Sequence, residues 1–373
     1  MKQSVCFLGV ITLLAAVSSS QAQVSISALS SFGGGDGWLA PGEGGYTFLG
    51  TGNNERGIGY GNGHLYLVSR AGGNNVRILN PLTGADLGGL NNTGITGGTF
   101  PVNNIAVGGD GAIYVGNLTT QSTTSPYKIY KWATEASVPT VAYSGNAGLA
   151  ASRIGDNLAA IGSGSSTRLA AGYANSPAVA GNNGFAIIDP TAGTATAVGF
   201  AGTPPNAGDF RLGITFTDSS HVLGDQGSSL YRDASFSGAT GTLLASPAIP
   251  DPSGATADRL LAYDILGGKA LLAVQSIGDS HVSIYDVTDP TAPVWLVSGN
   301  NTSGSLTANG NGTGELAWGD VIVNVDGSVT QTLYAMSSNQ GIQAFTVTVP
   351  EPGTATLALL GGAAWLLRRK LRR

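Results

Sequence analysis

From Gln23 to Val349 apolar and polar positions alternate over short runs bounded by Gly, Asn, Asp or Pro, and no stripe with the ~3.6-residue helical period reaches helical length. The pattern predicts an all-β body, with its clearest strands at His64–Val68, Ala112–Val115, Lys269–Val274, Val282–Tyr285 and Thr332–Met336. A longer period lies over the alternation. Strand pairs open at Arg56, Asn104, Arg153, Arg211, Arg259 and Glu315, at intervals of 48, 49, 58, 48 and 56 residues. Repeats of about 40–50 residues, each holding several short strands, are the sequence sign of propeller blades. Asn80-Pro81, Asp189-Pro190 and Asp289-Pro290 recur as turn formers, since an Asx side chain can bond the backbone two residues on while Pro fixes its own φ. Each predicts a hairpin between the two outer strands of a blade.

The last repeat, Glu315 to Val349, supplies three strands, near Leu316–Val325, Gln331–Ser337 and Ile342–Val349. Strand-like residues before Arg56, Val24–Leu29 and Tyr46–Leu49, are expected to complete that blade and close the ring, because an open ring leaves sheet edges unpaired. The reading is a β-propeller of six blades, with seven as the alternative and a β-sandwich or β-helix as the competing architecture.

Composition narrows the function classes. Of 373 residues 58 are Gly and only 10% are charged, while 42% are apolar, which suits many tight turns around a real core and excludes a disordered charged chain. The single Cys, Cys6, lies in the first apolar run, so disulfides, thiolate metal sites and Cys nucleophiles are excluded from the body. Between Gln23 and Val349 eleven cations face twenty-one acids, a balance that argues against nucleic acid as a partner. His64, His221 and His281 each open a strand after a polar turn and are not expected to converge on a metal. No nucleophile elbow, zinc-protease helix or phosphate loop is visible, so no catalytic residue, metal or cofactor is assigned.

The two ends read as addresses. Residues 1–22 have the form of a secretory signal helix: Lys2, an apolar run from Val5 to Val17, and Ser20-Gln21-Ala22 as a cleavage site. Residues 350–373 hold Pro350-Glu351-Pro352, an apolar helical stretch from Thr354 to Leu367, and the basic run Arg368, Arg369, Lys370, Arg372 and Arg373. Fourteen residues of helix cover about 21 Å, short of a ~30 Å hydrocarbon core, so the segment is a marginal anchor. The cations behind it orient it with the body outside the inner membrane.

This end resembles the PEP-CTERM sorting signal of Gram-negative envelope proteins. The resemblance implies recognition by an exosortase-type membrane protease, cleavage near Pro350-Glu351-Pro352, and transfer to the cell surface or exopolysaccharide layer. The body, most clearly at Gly57–Ser69 and Val282–Asp286, is similar to secreted WD40-like and YVTN-like propellers, which implies a fold and no particular activity.

If the six opening residues begin the innermost strand of each blade, Arg56, Asn104, Arg153, Arg211, Arg259 and Glu315 form a ring around one mouth of the channel. Loops after the second strands, including Arg70 and Gln226, are expected at the same mouth. Four arginines there make a ligand-binding funnel for a carboxylate, phosphate or uronic acid, against a structural role in which they pair with Glu55, Asp156, Asp209 and Asp258. The functional expectation is an exported, non-enzymatic envelope protein, a scaffold or glycan-binding module. The alternative is a secreted polysaccharide lyase or hydrolase.

Overall fold

In a computed structural model, which describes residues 23–149, 151–174, 183–200, 209–225, 231–249 and 258–351, the alternation becomes a succession of antiparallel meanders. Residues 1–22 and 352–373, with the expected signal and C-terminal helices, Pro352 and the basic run from Arg368 to Arg373, lie outside the described residues, as does Gln226.

The chain enters with β1 (Ser25–Ala28) and β2 (Trp38–Leu39). A four-stranded sheet follows, β3 (Glu55–Gly61), β4 (His64–Ser69), β5 (Asn75–Leu79) and β6 (Asp86–Gly89), then another, β7 (Phe100–Val107), β8 (Ile113–Leu118), β9 (Tyr127–Trp132) and β10 (Thr140–Gly145). Next come β11 (Arg153–Ile154), β12 (Ala159–Ile161), β13 (Arg168–Ala174), β14 (Asn183–Asp189) and β15 (Thr194–Phe200), then β16 (Gly213–Asp218), β17 (His221–Asp225), β18 (Arg232–Ser237) and β19 (Thr240–Ala245). A further sheet holds β20 (Asp258–Leu266), β21 (Lys269–Ser276), β22 (Val282–Asp286) and β23 (Val294–Gly299), and the chain ends with β24 (Gly314–Val323), β25 (Val329–Ser337) and β26 (Ile342–Val349).

The architecture is all-β and propeller-like, with four separate sheets and a curled nine-stranded sheet. The nine-stranded sheet runs from β11 to β19 and is continuous because Gly199–Phe200 pair in parallel with Thr240–Gly241, joining two meanders along their last strands. At the other edge of each meander β3 neighbours β7, β7 neighbours β12, β12 neighbours β16, β16 neighbours β20, β20 neighbours β24, and β24 neighbours β3. β1 joins the outer edge of the last sheet, Ser25 opposite Thr348 through Ala28 opposite Phe345, so the two ends of the described chain share one sheet and an open edge is covered.

Apolar layers fill the spaces between neighbouring sheets. Val68, Val76, Ile105, Val115 and Trp132 lie between the first two, and the Trp132 indole N–H donates to the Asn91 carbonyl at 2.8 Å. Leu271, Ile284, Leu333 and Phe345 lie between the last two. Each such side chain, fully buried, contributes about 1.5–3 kcal/mol.

The Asx-Pro turns join the third and fourth strands of their meanders, and Asn80 Oδ1 accepts from the N–H groups of Leu82 and Thr83 at 2.9 and 3.1 Å. Gly84 closes that turn with φ of 75°, a conformation a side chain would strain. Tyr46–Leu49 is not a strand. It follows a 3-10 turn at Glu43–Gly45, and Tyr46 stacks on Phe48 at 4.9 Å instead of pairing in a sheet.

Near the axis the backbones approach too closely for side chains. A Cβ at Gly213 would collide with the Arg259 carbonyl of the next first strand, and one at Gly172 with the Phe210 carbonyl. Gly213→Ala and Gly172→Ala are therefore expected to lower unfolding free energy by about 1–3 kcal/mol, as overpacking does. Chemical denaturation checks this against Gly199→Ala, where a Cβ meets nothing within 4 Å.

Candidate binding cleft at the arginine-rich mouth

The registers place Glu55 opposite Ser69, Gly213 opposite Asp225, Asp258 opposite Ser276 and Gly314 opposite Ser337. The starts of first strands and the ends of second strands therefore share one mouth, with the hairpin turns at Asn62–Gly63 and Gly267–Gly268 at the opposite end. Five of the six ring positions fall at or beside the starts of first strands, with Arg211 two residues before β16, while Asn104 is the fifth residue of β7, where regular pairing with β8 resumes after a register shift.

Their environments differ. The third meander opens irregularly, because its first strand is split into β11 and β12 around Gly155-Asp156-Asn157. Asn157 turns inward, its Oδ1 accepting from the Gly172 N–H at 3.1 Å and its Nδ2 donating to the Phe210 carbonyl at 3.0 Å. The same interruption buries Asp156, 1% exposed, where three guanidiniums reach it. Arg153 donates from Nε and Nη2 at 2.6 and 2.7 Å, Arg211 from Nη1 at 2.7 Å, and Arg56 Nη2 lies 3.9 Å away. Burial alone would raise the Asp156 pKa, but hydrogen bonds from Arg153 and the charge of Arg211 outweigh it and hold the carboxyl below its ordinary value. One anion against three cations leaves the cluster positive.

Arg56 is 2% exposed. Its Nε donates to Asn103 Oδ1 at 3.1 Å, and its Nη1 is buried without a partner. Burial, aided by the charge of Arg70, brings its pKa down to about 10, so it stays cationic at neutral pH. Asn103 and Asn104 both donate from Nδ2 to the Gly155 carbonyl at 2.6 Å, and Asn104 Oδ1 is left buried and unpartnered.

Arg259 is half-buried and lies among Gly312, Asp225 and Arg211, with burial the main cause of its lowered pKa. Glu315 pairs with none of the arginines. Burial pushes its carboxyl well above the ordinary range, and its Oε2 has no partner among the described residues. That oxygen stands 3.2 Å from where a Cβ on Gly57 would be.

The ring therefore divides. Arg56 and Arg153 line a cleft of about 580 Å³ at this mouth together with Arg70, Asn53, Asn74, Thr99, Phe100 and Asn311. Asn104, Arg211, Arg259 and Glu315 do not line it. Arg70 donates from Nη2 to the Asn53 carbonyl at 2.6 Å, its guanidinium lies 3.7 Å from the centroid of the Phe100 ring, and its Nε is buried without a partner. Burial is the main reason its pKa falls to about 10. No acid lines the cleft among the described residues.

The sequence pattern placed Arg70 at this mouth through its position after the second strand. Phe100 and Asn53 carried no such signal, since an exposed Phe in a strand and an Asn in a Gly-Asn turn have ordinary roles elsewhere. Asp209 pairs with Arg232 at 2.8 Å, and the three histidines stand apart, His64 on Glu135, His221 on Asp218 and His281 on Asp279.

A family model described as a domain of unknown function, DUF4623, matches residues 44–224, the part of the chain that supplies Arg56, Arg70, Phe100, Arg153 and Asp156. No curated protein matches the chain. Among solved structures, a DUF4623 family protein from Bacteroides eggerthii is 17% identical with a TM-score of 0.58, over 80% of this chain and 71% of its own. The major allergen Mala s 1 of Malassezia sympodialis is 11% identical with a TM-score of 0.51, over 80% of this chain and 93% of its own. At these identities the likeness is one of fold.

Asp156→Asn would leave Arg56, Arg153 and Arg211 crowded around a neutral group, a loss of about 3–5 kcal/mol for a broken buried pair. A carboxyl with a depressed folded pKa stabilises fully above its ordinary value of 3.8 and less as pH falls through the lower folded value. The difference between wild type and variant in denaturation is thus expected to be large at pH 7 and to shrink at pH 2–3.

Proposed function

We propose that the body is a six-bladed propeller, the nine-stranded sheet being two blades joined along β15 and β19, and that it is an exported, non-enzymatic binding module of the envelope surface. In this reading residues 1–22 are removed on export. Residues 350–373 hold the protein transiently at the inner membrane until an exosortase-type protease acts near Pro350-Glu351-Pro352. The body then works at the cell surface or in the extracellular matrix. The ligand proposed for the cleft is a carboxylate-bearing glycan such as a polyuronate of the exopolysaccharide.

The observation that carries the ligand is the cleft's donor set: Arg56, Arg70 and Arg153 converge with no acid among the described lining residues. Guanidinium groups gathered without a lining carboxylate favour an anionic ligand, which they meet with charge-assisted hydrogen bonds. Asn and Thr side chains beside them suit sugar hydroxyls, and Phe100 gives the site an apolar wall. A lyase or hydrolase has less support, because the cleft offers no carboxylate pair for proton transfer.

The exit of the chain fits the same reading. Val349 pairs with Val329, at the hairpin-turn end of the last sheet, so a tail held in a membrane would leave the arginine mouth facing away from it.

Retention on immobilised polygalacturonate, with neutral dextran as control, tests the ligand. Arg70→Ala and Phe100→Ala are expected to weaken retention about tenfold or more, given ~1.5–3 kcal/mol for a charge-assisted hydrogen bond, and added salt to weaken the wild type. Equal retention of variants and wild type would dismiss the cleft. Mass spectrometry of the protein exported by its own host is expected to show Gln23 as first residue and a C-terminus at Pro350–Pro352; a chain still ending at Arg373 at the cell surface overturns the sorting step.

A further inference from the structure

The end opposite the cleft carries an apolar projection that the glycan reading leaves unused. Beyond Trp318 the pairing of β24 with β25 shifts register, and Val321, Ile322 and Val323 are then 51%, 58% and 72% exposed. Successive strand residues point to opposite faces, so three exposed in a row means that the hairpin stands clear of the disc on both faces. Val325, in the turn, is fully exposed, and Ile265 on the neighbouring β20–β21 hairpin is 60% exposed.

The chain leaves the body at this spot. β26 ends beside β25, and the Glu351 carboxylate lies against Gly327 of the same turn, 2.7 Å from where a Cβ would stand. Three residues later the sequence becomes the apolar run Thr354 to Leu367, closed by the cations from Arg368. Three residues of extended chain reach about 10 Å. An apolar run of only fourteen residues has no slack against a ~30 Å core, and a short span is accommodated by thinning the bilayer and drawing in what flanks it.

We propose that the Val321–Val325 hairpin is an interfacial membrane contact, seated at the headgroup boundary beside the tail, where it holds Pro350-Glu351-Pro352 at the bilayer surface. The inference rests on the reading of Thr354 to Leu367 as membrane-held. Asp320, Asp326 and Glu351 flank the tip, and Asp326 is kept ionised by hydrogen bonds from Ser328, so the surface suits zwitterionic lipid over anionic lipid.

After Ala22 the chain has no Cys, so single thiols can be introduced for environment-sensitive labels at V325C, at A363C in the tail and at N74C in the arginine cleft. The chain from Gln23 to Arg373 is reconstituted into phosphatidylcholine vesicles with and without lipids spin-labelled near the headgroup, and again with a third of the lipid as phosphatidylglycerol. Expected are a blue shift and at least twofold quenching at V325C, quenching at A363C and neither at N74C, with V325C quenching reduced in the anionic vesicles. Quenching at A363C with V325C left aqueous overturns the hairpin contact and keeps the membrane-held tail. Quenching at neither overturns both. A blue shift at V325C without lipid quenching means that a second copy covers the tip, which also overturns the proposal.

Discussion

The crowding of backbones near the axis is the constraint from which the rest of the structure follows. Where Gly213 passes the Arg259 carbonyl and Gly57 passes Asn104, little side-chain volume fits between sheets. Large groups must therefore sit outward between the sheets, as Trp132 and Phe345 do, or at the ends of the first strands. Long polar side chains collect at the mouth because the strand starts are the first places with room for them. Asp156 then decides how much of that charge is visible. Placed in the interrupted strand of the third meander, it consumes Arg153 and Arg211 as partners and draws Arg56 in, which ties the start of the first sheet to the third and fourth meanders.

This arrangement separates two roles that a uniform ring would have merged. Arg211 and Arg153 satisfy a buried carboxylate, while Arg70, resting on Phe100 above the cleft, has no direct carboxylate partner of its own. A guanidinium held by an aromatic face and a backbone carbonyl keeps its charge and is already ordered, so a ligand anion meets a donor that loses little freedom on binding. Glu315, at the equivalent position in the last sheet, shows the opposite outcome: it pairs with no cation among the described residues, and burial pushes its carboxyl well above the ordinary range, away from the charged form.

The strand positions were legible in the alternation, and the repeat interval located the starts of five first strands to within two residues, but it missed the start of β7 by four, at Asn104, where the pairing shifts register. The reason is physical: β-sheets buried between neighbours keep a period of two, and their outer hairpins need residues such as Asn80-Pro81 that no other position tolerates as well. The joining of β15 to β19 was not legible, because a parallel contact between outer strands rests on backbone groups of Gly199–Phe200 and Thr240–Gly241, which have no side-chain signature. Tyr46–Leu49 misled for a related reason, since aromatic and apolar residues stack in a loop as readily as in a strand. Within the site, the ring positions were readable from the repeat, while the partition into cleft and buried cluster depended on which acid lay within reach of each arginine.

The two ends of the disc have opposite chemistry, and the chain's connectivity gives that polarity a direction. At one end cations and amides surround a cleft with no acid among the described residues, and at the other valines and an isoleucine project among carboxylates, next to the point where the chain leaves the last sheet. Polar satisfaction accounts for the first end only in part, since donors remain unpartnered there among the described residues, and core packing accounts for little of the second, since its apolar groups are more than half exposed. Exposed apolar residues that neighbour an apolar continuation of the same chain cost least when both leave water together. Under the proposed membrane contact, the geometry that turns the hairpin toward the bilayer would hold the arginine mouth a disc's thickness away from it, where a soluble polyanion could reach it.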